Sequence, residues 1–283
     1  MTRVPSLRQQ VADPGLIVIA ECYSVLTARV VEKAGFTATY IGGEAMGAMH
    51  AAVPDHGLVN LQEMLTFAER IAANIGIPLI ADADQGGETS LNVRRTVRDF
   101  EHAGVAGIHI EDTVNPKHLY DGDRQTSLDV MRARIGAAVD ARRSGEFIII
   151  ARTDEFVKGG GTVEEAIRRG VAFAEAGADV FMPVGIPGLE AMKSIVQSVP
   201  IPVLDINRRI AQAEEVGLKL DLFASSAVPT AVAAHAALLN EIRETGRLDV
   251  RARRLDPEYL ADLLDDRTYV ELAQSWNRAT QGY

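Results

Sequence analysis

The sequence lacks the residues that mark several classes of protein. Cys22 is its one cysteine, which excludes an intrachain disulfide and a cysteine zinc site and is typical of a reducing cytosol. No apolar run approaches the length of a membrane span, and Met1-Thr2-Arg3 is not followed by an apolar signal core. We therefore expect a cytoplasmic protein without a membrane partner.

Positive charge is also scarce. The 29 lysines and arginines are outnumbered by 39 aspartates and glutamates, which gives a net charge of -10 at pH 7. Nucleic acid is therefore not expected as a partner, because phosphate binding needs clustered lysine and arginine. An acidic surface also repels anionic substrates, so a site for an organic acid must supply its own local positive charge.

What the sequence does contain is a series of short apolar runs separated by segments with helical spacing. Several runs are almost wholly apolar, as in parallel strands that are buried on both faces. Eight consecutive strand–helix units in 283 residues predict an α/β fold of the (β/α)8 TIM-barrel type. A doubly wound open sheet is the alternative, but no nucleotide-type glycine fingerprint accompanies the strands. The predicted strands are Leu16–Glu21, Ala38–Ile41, Pro78–Asp82, Gly107–Glu111, Phe147–Arg152, Asp179–Val184, Pro202–Ile206 and Leu220–Ala224.

The composition changes after the eighth predicted helix, which ends near Thr245. Gly246–Leu255 is rich in arginine, and Asp256–Thr280 has the spacing of two more helices. We predict a barrel catalytic domain over 1–245 and a C-terminal helical extension over 246–283. The extension either caps its own barrel or packs on another subunit, and periodicity alone favours neither arrangement.

The carboxyl ends of the strands are the places where such barrels carry their chemistry. The third and fourth strands end in Asp82, Asp84, Glu111 and Asp112. Four carboxylates at one rim repel one another unless a cation joins them, and Mg²⁺ prefers oxygen ligands of this kind. The alternative is that they cap helices or pair with arginines, and for Asp112 capping fits as well as metal binding.

Arg152 follows an apolar run and is expected at the barrel mouth. There it can bind a substrate carboxylate through two nitrogens and stabilise an enolate, or it can pair with a rim carboxylate. Gly42-Gly43 either brings backbone N–H groups close to a carboxylate or forms a tight turn. His109, inside the fourth strand, has no metal-ligand spacing and is expected to be a packed core residue.

Six motifs lie in a stretch that runs from about Ser24 to Ile242. They are Pro54-Asp55-His56-Gly57, Asp82-Ala83-Asp84, Asn92–Thr96, Ala103–Asp112, Asn115-Pro116-Lys117 and Ile150–Asp154. In residues, order and spacing they resemble the isocitrate lyase/phosphoenolpyruvate mutase superfamily. Within it, the pattern is most similar to the group of small methylisocitrate lyases, carboxyphosphonoenolpyruvate mutases and oxaloacetate decarboxylases.

The resemblance implies a (β/α)8 barrel in a homotetramer whose C-terminal helices are exchanged between subunits. It implies Mg²⁺, with Mn²⁺ as the alternative, held by Asp82, Asp84 and Glu111. A small 2-oxo or 2-hydroxy acid would bind this metal, and Arg152 would help to stabilise a pyruvate-type enolate. The implied catalytic residues are Asp55, Arg152 and Lys117. The implied substrate-binding residues are Tyr23, Gly42, Gly43, Asp82, Arg152 and Asn207.

The loop that begins at Lys117 departs from the family's pattern. Lyases of this family carry Lys-[Lys/Arg]-Cys-Gly-His there, with a thiol that protonates the departing enolate, whereas Leu119 stands in the place of the cysteine. His118, Tyr120 or a water remain as replacements. Decarboxylation needs no acid in the bond-breaking step, so it is favoured slightly over retro-aldol cleavage. Lys117 itself either contacts a substrate or is solvated on a lid.

Three functions therefore remain open. The first is a Mg²⁺-dependent carbon–carbon lyase that acts on a small di- or tricarboxylic 2-oxo or 2-hydroxy acid. The second is cleavage of a phosphorus–carbon bond by a phosphonopyruvate-type mutase or hydrolase. The third is a catalytically silent barrel that binds a dicarboxylate, which is disfavoured because Asp55, the metal aspartates and Arg152 occur together.

Overall fold

Strands and helices alternate along the chain. The computed structural model describes residues 4–119, 125–154, 156, 160–247 and 255–280. Each strand lies within two residues of its predicted bounds at either end. The strands are β1 (Ile17–Glu21), β2 (Thr39–Ile41), β3 (Leu79–Asp82), β4 (Gly107–Glu111), β5 (Ile148–Thr153), β6 (Val180–Pro183), β7 (Leu204–Ile206) and β8 (Leu220–Phe223).

Helices follow the strands and have side-chain caps where the sequence supplies them. Asn60, for example, accepts hydrogen bonds from the backbone N–H groups of Gln62 and Glu63, which a helix leaves unpaired at its start. A π-helical turn occupies Gly47–Ala51. The described helices are α1 (Leu7–Ala12), α2 (Val25–Lys33), α3 (Gly43–Met46), α4 (Leu61–Ala72), α5 (Ser90–His102), α6 (Leu128–Ala141), α7 (Val163–Glu175), α8 (Gly188–Ser198), α9 (Ile210–Val216), α10 (Ala227–Thr245), α11 (Pro257–Leu263) and α12 (Asp266–Thr280).

The eight strands form one parallel sheet. Their order is β6–β5–β4–β3–β2–β1–β8–β7. A bridge between Phe181 and Val203 joins the two ends, and the Phe181 N–H donates to the Pro202 carbonyl at 2.9 Å. The sheet is therefore a nearly closed barrel surrounded by helices, which confirms the predicted (β/α)8 fold and excludes the open doubly wound sheet.

Side chains alternate between the inside and the outside of the barrel. On β5, Ile148 and Ile150 pack in a cluster made mostly of strand residues, whereas Ile149 and Ala151 pack in a second cluster with helix residues such as Phe173. Successive residues of a strand point to opposite faces, so the first cluster fills the barrel and the second separates strands from helices. The next inward position on β5 belongs to Arg152, at the carboxyl end of the strand.

The chain divides into two compact units, Met1–Val228 and Pro229–Tyr283. This division falls within α10, whereas the sequence-based boundary between 245 and 246 stays a prediction. The second unit consists of most of α10 together with α11 and α12. In the described part of the chain, no helix combines the length and the apolar character needed to cross a membrane.

Candidate active site

The carboxyl ends of β1 to β5 bring polar side chains to one rim of the barrel. Side chains alternate between the two faces of each strand, and the last side chains that point into the barrel are those of Glu21, Asp82, Glu111 and Arg152. All four residues are buried. A cavity of about 400 Å³ opens at this rim. Five of the predicted site residues line it: Gly42, Gly43, Asp55, Asp82 and Arg152.

Asp82 is fixed by backbone donors. The N–H groups of Gly43 and Asp84 donate to its two carboxylate oxygens at 2.9 and 2.8 Å. Burial by itself raises the pKa of Asp82, but His109, Lys117 and Arg152 outweigh burial and hold it below its ordinary value. Asp82 is therefore an ionised carboxylate in a fixed orientation. The amide of Gly43, predicted to bind a substrate carboxylate, donates to Asp82 instead.

Lys117 lies inside the site. Its side chain is fully buried, and its Nζ atom is 2.5 Å from Asp84 Oδ1, 3.2 Å from Asp55 Oδ1 and 3.4 Å from Glu111 Oε1. Burial alone lowers the pKa of Lys117, but Glu111 and the three aspartates around it raise it above its ordinary value. The interpretation of Lys117 as a solvated lid residue is wrong, because three carboxylates hold its ammonium group away from solvent.

The segment around Asp55 holds the Lys117 loop in place. The Nδ1–H of His56 donates to the Lys117 carbonyl at 3.0 Å. Gly57 has φ +73°, and a Cβ atom at this position would lie 2.3 Å from Asn115 Oδ1. Glycine has no Cβ atom and readily adopts this backbone conformation, so Gly57 can pack directly against the side chain of Asn115. This contact brings the segment of Asp55 against the segment of Lys117.

Asp84 and Glu111 share the ammonium group of Lys117 but differ otherwise. Burial and the neighbouring Asp82 raise the pKa of Asp84 to about 7, and Lys117 opposes this rise. Glu111 is fully buried and accepts the hydroxyl of Thr113 at 2.6 Å, while Arg152 Nη1 lies 3.0 Å from its Oε2. Asp84 therefore depends on Lys117 for its charged state, and Glu111 contacts both Lys117 and Arg152.

The oxygen atoms at this rim fit a hard divalent cation. Asp82, His109 and Glu111 offer ligand atoms that all lie within 4.8 Å of one another, so these side chains could hold a metal ion. Asp84 lies next to these three residues, because its backbone N–H donates a hydrogen bond to Asp82. Carboxylate oxygens are what Mg²⁺ prefers, and a cation at this place compensates the same negative charges that Lys117 compensates.

His109 is the imidazole of this group. As predicted, it is buried, and burial lowers its pKa. Its Nε2 atom lies 2.8 Å from the hydroxyl of Tyr40 and 3.6 Å from Asp82 Oδ1. Sequence reasoning placed it in the core but missed its contact with the site, because nothing in the spacing of the histidines points to Asp82.

Arg152 is oriented by a chain of buried groups. It donates two hydrogen bonds to Asp154, so the ion-pair alternative is correct, while its side chain also lines the cavity. Asp112 in turn accepts the backbone N–H of Asp154 and pairs with Arg169 at 3.1 Å. Asp112 thus neither caps a helix nor joins the metal-site carboxylates, since its oxygens are used in holding the end of β5.

Two predicted substrate-binding residues do not line the cavity. The side-chain amide of Asn207 bonds both the N–H and the carbonyl of Ala224, each at 3.1 Å, and so ties the end of β7 to that of β8. Tyr23 is half-buried at the start of α2, and its backbone N–H donates to Thr27. A role for either residue in substrate binding stays a prediction.

The loop after Lys117 is described as far as Leu119. His118 lines the cavity and its Nε2 atom lies 3.6 Å from Asp154 Oδ2, whereas Leu119 is 44% exposed. Tyr120, another predicted replacement for the thiol acid, lies outside the described residues. Of the two side chains predicted to replace the thiol acid, His118 lies within the described residues, and it reaches the cavity.

Sequence reasoning assigned no role to two other acidic residues of the cavity. Glu21 and Glu44 both line it and both contact Ser225. Their place at the ends of the first two strands was visible in the sequence. Their convergence on one residue after β8 was not, because it depends on closure of the barrel.

The chain is similar to curated lyases and to a solved phosphonopyruvate enzyme. It is 39% identical over 203 residues to the 2,3-dimethylmalate lyase of Eubacterium barkeri, with 71% of this chain and 69% of the relative covered. It is 33% identical to the oxaloacetate decarboxylase of Pseudomonas fluorescens, with 85% and 81% covered. A phosphonopyruvate hydrolase crystallised with oxalate and Mg²⁺ superposes with a TM-score of 0.85 at 26% identity, covering 96% of this chain and 98% of that one.

The model of the phosphoenolpyruvate phosphomutase family matches residues 7–243. The match spans the whole barrel and includes every rim residue described above. The superfamily expected from the motifs is thereby confirmed. The chain belongs to the phosphoenolpyruvate phosphomutase family, within the phosphoenolpyruvate mutase/isocitrate lyase superfamily.

Proposed function

We propose that the protein is a Mg²⁺-dependent carbon–carbon lyase that acts on a small 2-oxo or 2-hydroxy acid. The observation that carries the proposal is the convergence of Asp82, Asp84, Glu111, Lys117 and Arg152 at the carboxyl end of the barrel. Asp82 and Arg152 also line the cavity there. The names of the similar proteins, a dimethylmalate lyase and an oxaloacetate decarboxylase, support the same reaction class.

Asp82, Asp84 and Glu111 would hold the magnesium ion. When bound, the ion would supply a Lewis acid that neutralises the carboxylate and the 2-oxygen of a substrate. The oxalate and Mg²⁺ named for the similar hydrolase are consistent with this, because oxalate presents two oxygens in the arrangement of a pyruvate enolate. His109 is left out of the metal's ligand set in this proposal, since its Nε2 atom is engaged with Tyr40.

Arg152 stabilises the charge that develops when the bond breaks. The electron pair of the broken carbon–carbon bond passes into an enolate conjugated with a carboxylate, and a fixed guanidinium lowers the energy of that anion. Asp154 supplies the fixed orientation through two hydrogen bonds. Arg152 keeps its proton throughout, because Asp154 and Glu111 raise its pKa above the ordinary value although burial opposes them.

Asp55 is placed to move a proton, and Lys117, whose raised pKa makes it keep its own proton, holds Asp55 in position. They form an ion pair with 3.2 Å between Lys117 Nζ and Asp55 Oδ1, and Asp55 lines the cavity. Leu119 cannot donate a proton, so a cleavage whose bond-breaking step needs no acid suits this site. Decarboxylation is such a step, since carbon dioxide leaves without protonation of the departing group.

The test is a pyruvate-release assay with and without Mg²⁺. Oxaloacetate, 2-methylisocitrate, 2,3-dimethylmalate and phosphonopyruvate serve as substrates, and phosphate release from phosphonopyruvate would reveal phosphorus–carbon cleavage. We expect Mg²⁺-dependent pyruvate release from at least one of the carbon acids and its loss in Asp84→Ala. Asp99→Asn, which alters an exposed ion pair with Arg95, is the control and should retain activity. Unchanged turnover in Asp84→Ala would refute the site.

We also propose that the C-terminal helices pack on other subunits of a homotetramer. α10 has 19 residues and none of them is buried, although it includes Val232, Leu239 and Ile242. α12 likewise leaves Tyr269 and Trp276 more than 60% exposed. Apolar side chains at this density support a protein–protein contact. Light scattering coupled to gel filtration tests it, and a monomer at micromolar concentration would contradict it.

A further inference from the structure

Asp112, the residue directly after β4, is a buried carboxylate that the proposed lyase chemistry does not use. It is fully buried, and it faces the helix layer, where it pairs with Arg169 of α7. A buried charge is costly unless it is paired and hydrogen-bonded. The partners of Asp112 therefore indicate what this carboxylate is for.

The Asp112 carboxylate accepts hydrogen bonds from the end of β5 and from α7. The Thr153 hydroxyl and Arg169 Nη1 donate to its Oδ2 atom at 2.5 and 3.1 Å. The backbone N–H of Asp154 donates to its Oδ1 atom at 3.0 Å. Arg169 is itself buried and supplies the cation that a buried carboxylate needs. Asp112 and Arg169 therefore form one ion pair that is hydrogen-bonded to the end of β5.

Asp154 connects this ion pair to the inside of the barrel. Its backbone N–H bonds Asp112, whereas its two carboxylate oxygens bond the guanidinium of Arg152. β5 ends at Thr153, so the ladder of the sheet does not hold the backbone of residue 154. The hydrogen bond to Asp112 fixes the backbone from which the partner of Arg152 projects.

Gln125 and Thr126, where the described chain resumes after Leu119, bond to the same group. The N–H of Thr126 donates to the Asp112 carbonyl at 2.6 Å, and its carbonyl accepts from Arg169 Nη1 at 3.2 Å. The side-chain amide of Gln125 donates to the carbonyl of residue 154 at 3.2 Å. The ion pair therefore holds two segments at once, the end of β5 and the chain at 125–126.

We propose that Asp112 and Arg169 are positioning residues for Arg152. They act through Asp154, and they hold the segment 125–126 beside it. The proposal rests on the proposed function, in which Arg152 stabilises the enolate. Without the ion pair, the backbone of Asp154 loses a fixed acceptor and the guanidinium loses its fixed plane. The effect falls on the bond-breaking step, because the metal-site carboxylates are untouched.

The test is the steady-state kinetics of Mg²⁺-dependent pyruvate release in Arg169→Gln. We expect kcat to fall about tenfold, because the partner of Arg152 is misplaced, while KM changes less than about threefold. Arg169→Lys keeps a cation for Asp112 and should recover most of the lost kcat. Arg168→Gln is the matched control, because it removes the exposed pair of the neighbouring arginine with Glu165, and it should keep the wild-type kcat.

A double-variant cycle tests whether Arg169 acts through Asp154. In the Asp154→Asn background, Arg169→Gln should lower kcat by less than about threefold, since the residue that connects it to Arg152 is already altered. Independent effects would multiply. A full tenfold loss in that background would therefore overturn the proposal, as would an unchanged kcat in Arg169→Gln alone.

Thr153→Val keeps the proposal testable if Arg169→Gln does not fold. It removes one hydrogen bond to Asp112 and leaves the size of the side chain and both charges of the ion pair in place. We expect kcat to fall about threefold, with KM unchanged. Thr153→Ser restores the hydroxyl and should restore kcat. Equal kcat values in the valine and serine variants would contradict the positioning role.

Amide hydrogen exchange provides a measurement that does not depend on turnover. The N–H groups of Asp154 and Thr126 should exchange at least about tenfold faster in Arg169→Gln than in the wild type, and at the wild-type rate in Arg168→Gln. Unchanged exchange in Arg169→Gln would overturn this proposal and leave the proposed function standing. Absence of pyruvate release by the wild type would refute the proposed function, and the positioning role with it.

Discussion

Asp154 holds one edge of the Arg152 guanidinium with both of its carboxylate oxygens. Arg152 Nε and Nη2 donate to Asp154 Oδ1 and Oδ2 at 2.6 and 2.8 Å. The third guanidinium nitrogen, Nη1, lies 3.0 Å from Glu111 Oε2. Arg152 and Asp154 are two residues apart and lie on the same face at the end of β5. Asp154 therefore fixes the plane of the Arg152 guanidinium, which carries the positive charge.

Asp154→Asn is expected to lower kcat by about 100-fold, because the guanidinium plane loses a charged partner and misplacement at a reacting centre is costly. The KM should change much less, since the metal-site carboxylates remain. The measurement is the kinetics of Mg²⁺-dependent pyruvate release. Asp179→Asn is the control, because Asp179 pairs with Arg8 and Arg142 away from the cavity. An equal loss of kcat in both variants would assign Asp154 a merely structural role.

Arg152→Lys is expected to lower kcat by at least about 100-fold. One ammonium nitrogen cannot reach both oxygens of Asp154 and also face Glu111. Steady-state kinetics and far-ultraviolet circular dichroism separate activity from folding. The matched variant Arg142→Lys alters the partly exposed ion pair between Arg142 and Asp179, away from the cavity. It should leave kcat near normal. Near-normal turnover in Arg152→Lys would mean that Arg152 serves the fold alone.

Lys117→Met should make the protein more dependent on Mg²⁺ for stability. Removing the ammonium leaves the buried carboxylates of Asp84 and Glu111 without their shared cation, which is strongly destabilising. A metal ion at the same carboxylates compensates part of that loss. The rise in Tm on adding Mg²⁺, measured by differential scanning calorimetry, should therefore be larger in Lys117→Met than in the wild type. An equal or smaller rise would place the metal elsewhere.

Glu21→Gln should stabilise the protein at alkaline pH and not at acid pH. The pKa of Glu21 is raised from 4.5 to about 7, so the folded state binds its proton more tightly than the unfolded state does. The associated stability is fully present below pH 4.5 and is lost as pH rises through about 7. Glutamine stays neutral throughout, so the Tm of the variant minus that of the wild type should grow between pH 5 and pH 8. A pH-independent difference would contradict the burial of this charge.

The sequence was most informative about the strands and their ends. Short, almost wholly apolar runs such as Phe147–Arg152 identify buried parallel strands, because both faces of such a strand are covered. Once eight of them alternate with helices, the barrel follows, and the rim residues Asp82, Glu111 and Arg152 follow from their position at the strand ends. These inferences rest on local patterns, which is why the structure agrees with them.

Contacts between distant segments were beyond the sequence. Lys117 had two interpretations in the sequence, and only the loop's packing against Asp55 and His56 decided that it is buried. The side-chain amide of Asn207 bonds the backbone of Ala224, which is 17 residues away in sequence, and no local pattern indicates this contact; its role in substrate binding stays a prediction. A side chain's partner is chosen by which backbone donors and acceptors remain unpaired, and that depends on the closed barrel.

The sequence by itself therefore determined the barrel, the family and the set of charged residues at the strand ends. Apolar periodicity identifies the barrel because it acts within a single strand–helix unit, and the motifs at the strand ends identify the family. Only the tertiary structure decided how those charges pair: Lys117 among three carboxylates, Arg152 on Asp154, and Glu21 with Glu44 on Ser225. The physical reason is that electrostatic partners are set by distances and burial in the folded state, which residue order does not contain.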